Sequence, residues 1–420
     1  DPPFRPQLPA CESPSRIIDN ILLSDGIVGY GCSIMYGCMV SKFLLGENVH
    51  LEYGLRLNDT VVGDNSTIAR CEVANSMIFP AHEQHHNSSF LIASLLQGQS
   101  NLASGATIGS NHNGRTADNE LSAGRGFWPG LCVSLKHSSR FASYCLLSKG
   151  DYPYELNVML PFSLINNNVS KNQLEIMPAY WWLYNMYALK RNESKFASRD
   201  KRVVKSQHIE FDPFAPDTAE EILIGRNLIK IWTERAYMNN DGNEHLVVTA
   251  DGMENSRRKT VILKAGAAYR TYEEMLIYYA VKTLCDLYGE DMPPLTLADN
   301  KRCMQWFNVG GQLVRHDDLK QLIDDVEGGV LNSWHDVNRR LDQLWEQYPC
   351  HKARHAYQML CELSEKKVLS ESDWAKYCSQ YRSICYHVAD QVRVSRQKDN
   401  DNPYRSLTFW DENERNAVMQ

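Results

Sequence analysis

Branched aliphatic residues recur at steps of about six along residues 21–170, and a small residue often follows each of them. In the run LASGATIGS (102–110), Leu102-Ala103 and Ile108-Gly109 are two such units. A chain that coils through strand, corner and strand with this period puts one side chain in three into a narrow core. The next position lies at a corner, where a small residue tolerates the tight turn. The pattern predicts a left-handed parallel β-helix.

The same repeat runs upstream, although steps of five interrupt the steps of six. The upstream units are Val28-Gly29, Ile34, Val40, Leu45-Gly46, Leu51, Leu57, Val62-Gly63 and Ile68. A single unit is weak support, because the two-residue alternation of an ordinary strand gives similar spacings. The repetition in register over successive coils is specific. We therefore expect the β-helix over residues 21–170, after a proline-rich N-terminal arm at residues 1–20.

Two polar segments depart from the repeat and predict loops that project from a corner. The first is FPAHEQHHNSS (79–89), and the second is NHNGRTADNELSAGRG (111–126). Glycine, asparagine and aspartate, which favour turns, are frequent in the second segment. That segment is the more informative one, because it carries His112 between two asparagines.

From about residue 171 the hydrophobic period becomes helical, so the chain is predicted to be an α+β multidomain protein. Residues 222–237 and 317–327 and three apolar stripes predict helices: Tyr272 to Leu287, Trp334 to Tyr348 and Trp374 to Val392. Ser333 is the expected N-cap of the second stripe and Pro349 its stop, and Ser372 or Asp373 is expected to begin the third. HLVVTADGM and KTVILKAG predict a hairpin. Residues 171–420 are thus expected to form a mostly helical domain with a small β-hairpin and an extended tail.

Composition and charge narrow the class of protein. A length of 420 residues favours two domains. The net charge of -7 argues against nucleic-acid binding along a broad basic surface. Because no run of ~18 apolar residues occurs, we expect no membrane span. The twelve cysteines form no CxxC pair and no regular framework, which favours free thiols and a cytoplasmic location.

The repeat and the closing segment LLSKGDYPYELN are similar to the hexapeptide-repeat acyltransferase superfamily. The segments AHEQHHNSSFLIASLLQGQSNLASGATIGSNHNGR and GRGFWPGLCVSLKHSSRFASYCLLSKGDYPYELNVMLPFSLI, with the tail SRQKDNDNPYRSL, resemble an uncharacterised bacterial domain-of-unknown-function family. Members of that family combine such a spiral with a helical C-terminal part. This second resemblance covers most of the chain and implies an architecture, whereas the first covers residues 21–170 only.

The resemblance to acyltransferases implies a general-base histidine. In those enzymes it takes a proton from a sugar amine or hydroxyl as that group attacks the thioester of acyl-CoA, a task that suits an imidazole. His112 is the candidate base. Asn111 and Asn113 would bind sugar hydroxyls, and Arg115 would hold a phosphate or carboxylate. The run 111–114 is similar to the Asn-Tyr-Asp-Gly motif of glucosamine-1-phosphate acetyltransferases but differs at both central positions.

Polar residues in the neighbouring coils extend this candidate site. Gln97, Gln99 and Asn101 lie in the coil before the loop, and Lys136 and His137 lie one or two coils after it. Amides and cations suit a polyhydroxylated, anionic ligand. We therefore expect a phosphorylated or nucleotide-linked sugar as the small-molecule ligand, with acyl-CoA as co-substrate if the protein is a transferase.

A metal site is an alternative. His82, His85 and His86 are clustered, and His50 precedes His86 by 36 residues, or two coils of about 18. This arrangement resembles that of gamma-class carbonic anhydrases, whose spiral binds zinc with three histidines. The resemblance implies His50, His82 and His86 as zinc ligands.

A third interpretation is a non-catalytic role, because a β-helix with a helical appendage can be an assembly or sugar-binding module. A nucleotidyltransferase domain is not predicted, since no glycine-rich loop ends in Lys-Ser or Lys-Thr. A three-sided coil presents flat faces that pack around a three-fold axis, which predicts a homotrimer.

Overall fold

The computed structural model describes residues 14–110, 119–238, 246–298 and 302–419. Its N-terminal part is a parallel β-solenoid of about eight turns, and a helical region follows, which confirms the predicted fold class. We refer to residues 16–168 as the solenoid and to residues 173–419 as the helical region. The first strand begins at Arg16, within the segment expected to be an arm.

The solenoid contains short strands, which are numbered in chain order. They are β1 (Arg16–Ile17), β2 (Leu22–Val28), β3 (Ser33–Ile34), β4 (Met39–Leu45), β5 (His50–Glu52), β6 (Arg56–Val62), β7 (Thr67–Ala69), β8 (Glu72–Ala74), β9 (Met77–Ile78), β10 (Glu83–Gln84), β11 (Phe90–Ile92), β12 (Ser94–Leu96), β13 (Thr107–Ser110), β14 (Leu121–Ala123), β15 (Trp128–Pro129), β16 (Ser134–Lys136), β17 (Arg140–Phe141), β18 (Leu146–Leu147), β19 (Asp151–Tyr152), β20 (Asn157–Val158) and β21 (Leu164–Asn168).

Each coil has three straight segments separated by corners in the left-handed backbone conformation. Successive corners fall at Tyr36, Lys42 and Asn48, and then at Tyr53, Asp59 and Asn65. Ser33 and His50 pair directly in neighbouring coils and are 17 residues apart. A coil of 17 residues consists of two steps of six and one of five, which explains the interruptions in the repeat.

The repeated aliphatic residues form the solenoid core. Ile34, Leu51 and Ile68 stack in register and are fully buried. Burying such a side chain contributes roughly 1.5–3 kcal/mol. The small residue that follows many of them is required by the approach of the next coil. A Cβ on Gly63, for example, would lie 2.6 Å from the backbone nitrogen of Pro80.

Among the residues that the structure describes, the helical region contains five strands, nine α-helices and a short 3-10 helix (Leu295–Ala298). The strands are β22 (Gln173–Met177), β23 (Thr249–Ala250), β24 (Lys259–Ile262), β25 (Trp306–Val309) and β26 (Gln312–Arg315), and the helices are α1 (Tyr180–Tyr184), α2 (Met186–Ser198), α3 (Pro216–Met238), α4 (Ala265–Tyr288), α5 (His316–Glu327), α6 (Trp334–Ser364), α7 (Glu371–Asn400), α8 (Pro403–Ser406) and α9 (Glu412–Met419). Helix α4 packs against α3, α6 and α7.

A continuous sheet and a shared core join the two parts. Strand β21 pairs with β22 in antiparallel orientation, β22 pairs with β24, and β24 pairs with β23, so one face of the solenoid extends into the predicted hairpin. The buried hydrophobic cluster runs without a break from Cys32 in the solenoid to Val388 in α7.

Some local expectations differ from the structure. Residues 79–89 do not project as a loop, because Glu83 pairs with Thr67 and keeps the segment in the coil. Pro349 does not stop α6, which begins at its predicted cap Ser333 and continues through the proline. Helix α7 begins after Ser370, whose hydroxyl accepts a hydrogen bond from the Asp373 backbone. The tail, expected to be extended, is helical in α8 and α9.

Candidate functional site

The candidate site lies at the corner formed by Ser110 and Asn119, the described residues on either side of segment 111–118. Strand β13 ends at Ser110, which pairs with Lys136 of the next coil. On the other side of the segment, the Asn119 backbone N–H donates to His137 Nδ1 at 2.8 Å. The structure thus brings both ends of the segment together with Lys136 and His137. The other predicted residues of this site, His112, Asn111, Asn113 and Arg115, lie outside the described residues.

The hydrogen bonds of His137 determine which ring nitrogen carries the proton. Its side chain is buried, and Nδ1 accepts the Asn119 N–H, so the proton of the neutral ring is on Nε2. Ser138 Oγ is 3.4 Å from the same Nδ1. In this state His137 can donate a hydrogen bond from Nε2, but it cannot accept a proton there.

Lys136 is held by a carboxylate at this corner. Its Nζ lies 2.5 Å from Glu155 Oε1, and Asn255 Nδ2 donates to Glu155 Oε2 at 3.0 Å. Burial by itself would raise the pKa of Glu155, but the hydrogen bonds from Lys136 and Asn255 bring it below its ordinary value. The carboxylate is therefore ionised at neutral pH. Asn255 lies between β23 and β24, so the helical region contributes to the corner.

Two of the three residues predicted to line the site contact the helical region instead, Gln99 through its side chain and Gln97 through its backbone carbonyl. Gln99 is buried at a different corner, where its Nε2 donates to the Glu210 carbonyl at 2.9 Å and its Oε1 accepts from Tyr144 at 2.6 Å. The Gln97 carbonyl accepts a hydrogen bond from Asn308. Asn101 forms a backbone bridge with Glu83. Gln97 and Gln99 thus hold the two parts of the protein together.

A buried arginine, not predicted from the sequence, strengthens this junction. Arg125 is 1% exposed and donates from Nε and Nη2 to the two carboxylate oxygens of Asp217, both at 2.8 Å. Its Nη1 donates to the Asp212 carbonyl at 2.9 Å. A buried arginine requires such paired acceptors, because an isolated buried charge is strongly unfavourable. The residue type alone carries no signal for this contact.

The histidines proposed as zinc ligands are placed apart. His82 is fully buried in the solenoid, where its nitrogens contact Ser100 Oγ at 2.8 Å and Gln84 Oε1 at 3.1 Å. Burial lowers the pKa of His82 to about 4, so the ring is neutral. His50 lies in line with Glu83, on the opposite side of the sheet from His82.

His86 packs against His85, with ring centroids 4.5 Å apart. Within the described ranges, no three or more histidine, cysteine, aspartate or glutamate side chains are grouped so that they could hold a metal ion. The cysteines within those ranges are free thiols. None of the helices in the described part of the chain is long and apolar enough to cross a membrane.

Comparison with known proteins identifies the family. Residues 9–232 match the family described as a domain of unknown function, DUF4954. A protein from Treponema pallidum (strain Nichols), described as an uncharacterized protein, is 44% identical over 433 residues. The alignment covers 97% of this chain and 59% of the relative, so the chain spans little more than half the length of that protein. The chain belongs to the DUF4954 family.

Proposed function

We propose that the protein is a transferase-like β-solenoid that binds a phosphorylated or nucleotide-linked sugar at the corner of residues 110–119. One observation supports this site above others. Ser110 pairs with Lys136, and Asn119 bonds to His137, so the polar segment 111–118 starts and ends beside a lysine and a hydrogen-bond-donating histidine. The two residues that flank the segment therefore lie against Lys136 and His137 of the next coil, which supports placing the ligand there.

The proposed reaction is acyl transfer from acyl-CoA to the sugar, with His112 as general base. The sugar amine or hydroxyl attacks the thioester carbonyl while His112 takes its proton, and the departing thiolate of coenzyme A takes that proton up. Asn111 and Asn113 would bind sugar hydroxyls, and Arg115 would bind the phosphate. His137, with its proton on Nε2, would donate a hydrogen bond to the bound ligand.

A binding screen followed by a turnover assay tests this function. Sugar phosphates, nucleotide sugars and acyl-CoAs are screened for thermal stabilisation of the purified chain, and a true ligand at 100 times its Kd should add ~2.7 kcal/mol. On the substrate found, we expect His112→Ala to lower turnover by about a hundredfold or more. His335→Ala, an exposed histidine on α6, is the matched control. Full turnover by His112→Ala would show that His112 is not the base.

A non-catalytic module is the second candidate, and the contacts of Gln99 and Arg125 favour it. These polar side chains bind the helical region to the solenoid, as expected of a scaffold whose parts must hold a fixed relation. If sugars stabilise the protein but no acyl-CoA is consumed, the module function is supported. Stabilisation by zinc alone, abolished in His86→Ala, would instead support the metal alternative.

A further inference from the structure

A groove of about 400 Å³ lies along one face of the solenoid. The groove, which we call the N-terminal groove, runs between strands β1, β3 and β5 and the segment 201–203 that follows α2. Among its lining residues are Arg16, Cys32, Ser33, His50, Glu52 and Lys201. This lining combines a hydroxyl, an imidazole and charged groups in one concave surface, away from the corner of residues 110–119.

A directed chain of hydrogen bonds reaches the groove and begins at a carboxylate. Burial by itself would raise the pKa of Asp200, but hydrogen bonds from Arg202 and Asn65 hold it far below its ordinary value. The ionised carboxylate can only accept hydrogen bonds. Asn65 must therefore direct its Nδ2 to Asp200 Oδ1, at 2.9 Å, and its Oδ1 faces Asn48.

The donors and acceptors in this series of hydrogen bonds determine which nitrogen of His50 carries the proton. Because Asn48 donates from Nδ2 to Asn65 at 2.8 Å, its Oδ1 faces His50 Nε2 at 3.2 Å. The imidazole must then carry its proton on Nε2 and present a lone pair at Nδ1. Ser33 Oγ lies 2.7 Å from Nδ1 and must be the donor. The neutral imidazole thus presents an unprotonated Nδ1 to the Ser33 hydroxyl.

We infer that Ser33 is a nucleophile activated by His50, and that the N-terminal groove hydrolyses a small acyl ester with an anionic group. A hydroxyl, a base oriented to it and a third group that fixes the tautomer of the base are the components of nucleophilic catalysis. Arg16 and Lys201 at the exposed rim provide positive charge for the anionic group. Cys32 does not serve as the nucleophile, because its thiol donates to the Gly46 carbonyl at 3.1 Å and burial raises its pKa.

The reaction balances without a cofactor. Ser33 Oγ forms a bond to the ester carbonyl carbon while its proton moves to His50 Nδ1. The bond to the alcohol then breaks, and the alcohol takes the proton from His50. Water, deprotonated by His50 in turn, attacks the acyl-serine, releases the carboxylic acid and restores the Ser33 hydroxyl. None of these steps uses the residues of the proposed acyl-transfer site, so the two proposals succeed or fail separately.

A fluorophosphonate probe, which labels activated serines, tests the inference on the folded chain. We expect peptide mapping to find the label on Ser33, and Ser33→Ala to abolish it. Ser41→Ala is the matched control, because Ser41 lies on the neighbouring face and donates to Asn58 at 2.6 Å instead of to a histidine. Absence of label on Ser33, in protein whose circular dichroism and melting temperature are those of the folded state, would overturn the proposal.

Rescue separates a catalytic from a structural role of His50. His50→Ala should label about a hundredfold more slowly, and added imidazole should restore part of the rate. A purely structural histidine would not give such rescue, so a variant unaffected by imidazole contradicts the assignment. Lys201→Ala should raise KM for a p-nitrophenyl ester of succinate more than it raises KM for p-nitrophenyl acetate. Equal effects on both esters would exclude the anion-binding role.

Discussion

At the junction between the solenoid and the helical region, burial and nearby charges change the pKa of Glu221. Glu221, at the beginning of α3, accepts a hydrogen bond from the Ser143 backbone at 2.9 Å. Burial raises its pKa from 4.5 to about 7, more than the hydrogen bond from Ser143 lowers it. Nearby Asp217 raises the pKa and Arg125 lowers it. The folded protein therefore keeps a proton on Glu221 that the unfolded chain loses at lower pH.

This shift predicts that Glu221 destabilises the protein at alkaline pH. Between about pH 4.5 and 7 the folded state binds more protons than the unfolded state, so stability falls as pH rises through this range. Glu221→Gln keeps the acceptor for Ser143 without the charge. We expect the variant to be more stable than wild type by about 1 kcal/mol at pH 8, and the gain to shrink at pH 5.

Scanning calorimetry at both pH values measures this difference. Glu234→Gln, an exposed glutamate on the same helix, is the control and should show no pH-dependent gain. An equal effect of Glu221→Gln at pH 5 and pH 8 would mean that Glu221 titrates at an ordinary pKa.

The burial and the hydrogen-bond partners of individual polar residues were the hardest features to predict from the sequence. Residues 79–89 look like a loop because the segment is polar, yet His82 is buried with its hydrogen bonds satisfied by Ser100 and Gln84. Hydrophobicity cannot distinguish a satisfied buried polar group from an exposed one. A coil of 17 residues places Ser33 beside His50, whereas the coil of about 18 residues expected from the sequence does not.

Elements, in contrast, follow from periodicity, because the same physical requirement recurs in each coil or helical turn. Spacing indicated repeated core residues of the solenoid, such as Ile34, Leu51 and Ile68, and the helices α3 to α7. Pro349 was expected to end α6, but the helix continues through it to Ser364 and packs against α4. Tertiary packing there offsets the cost of a proline inside a helix.

Because neighbouring coils approach closely at Gly63, adding a side chain there is predicted to lower the free energy of unfolding. A Cβ there would lie 2.6 Å from the backbone nitrogen of Pro80, a contact that a shift of a side chain cannot relieve. We expect Gly63→Ala to destabilise the protein by about 1–3 kcal/mol. Gly150→Ala is the control, because its Cβ would meet no atom closer than 3.8 Å and its φ is not positive. Comparable melting temperatures for the two variants would contradict the packing argument.

At the scale of the whole molecule, the arrangement of the two parts depends on contacts that local sequence patterns do not encode. Gln99 and Glu210 are 111 residues apart in the chain, and Arg125 and Asp217 are 92 apart. Each partner is a common polar residue without a motif. Sequence could therefore predict a solenoid and a helical region, but not that they share one core or that the amides near residue 99 join them.

The outer surface of the solenoid carries an apolar stripe. Outward-facing residues in register along five successive coils are Ile27, Leu44, Val61, Met77 and Leu95. Ile27 is 65% exposed, Leu44 44% and Met77 47%. An exposed apolar surface that continues over several coils is typical of an interface between protein chains.

We propose that this stripe packs against two further copies of the chain in a homotrimer, because a three-sided solenoid presents flat faces that suit a three-fold axis. Light scattering at micromolar concentration should give three times the chain mass of 48.1 kDa. Introducing charges with Leu44→Glu and Met77→Glu should yield folded monomers, since each carboxylate would be buried without a partner. Val169→Glu, at a position 78% exposed in the turn after β21, should remain trimeric. A wild-type chain that scatters as a monomer would contradict the assembly.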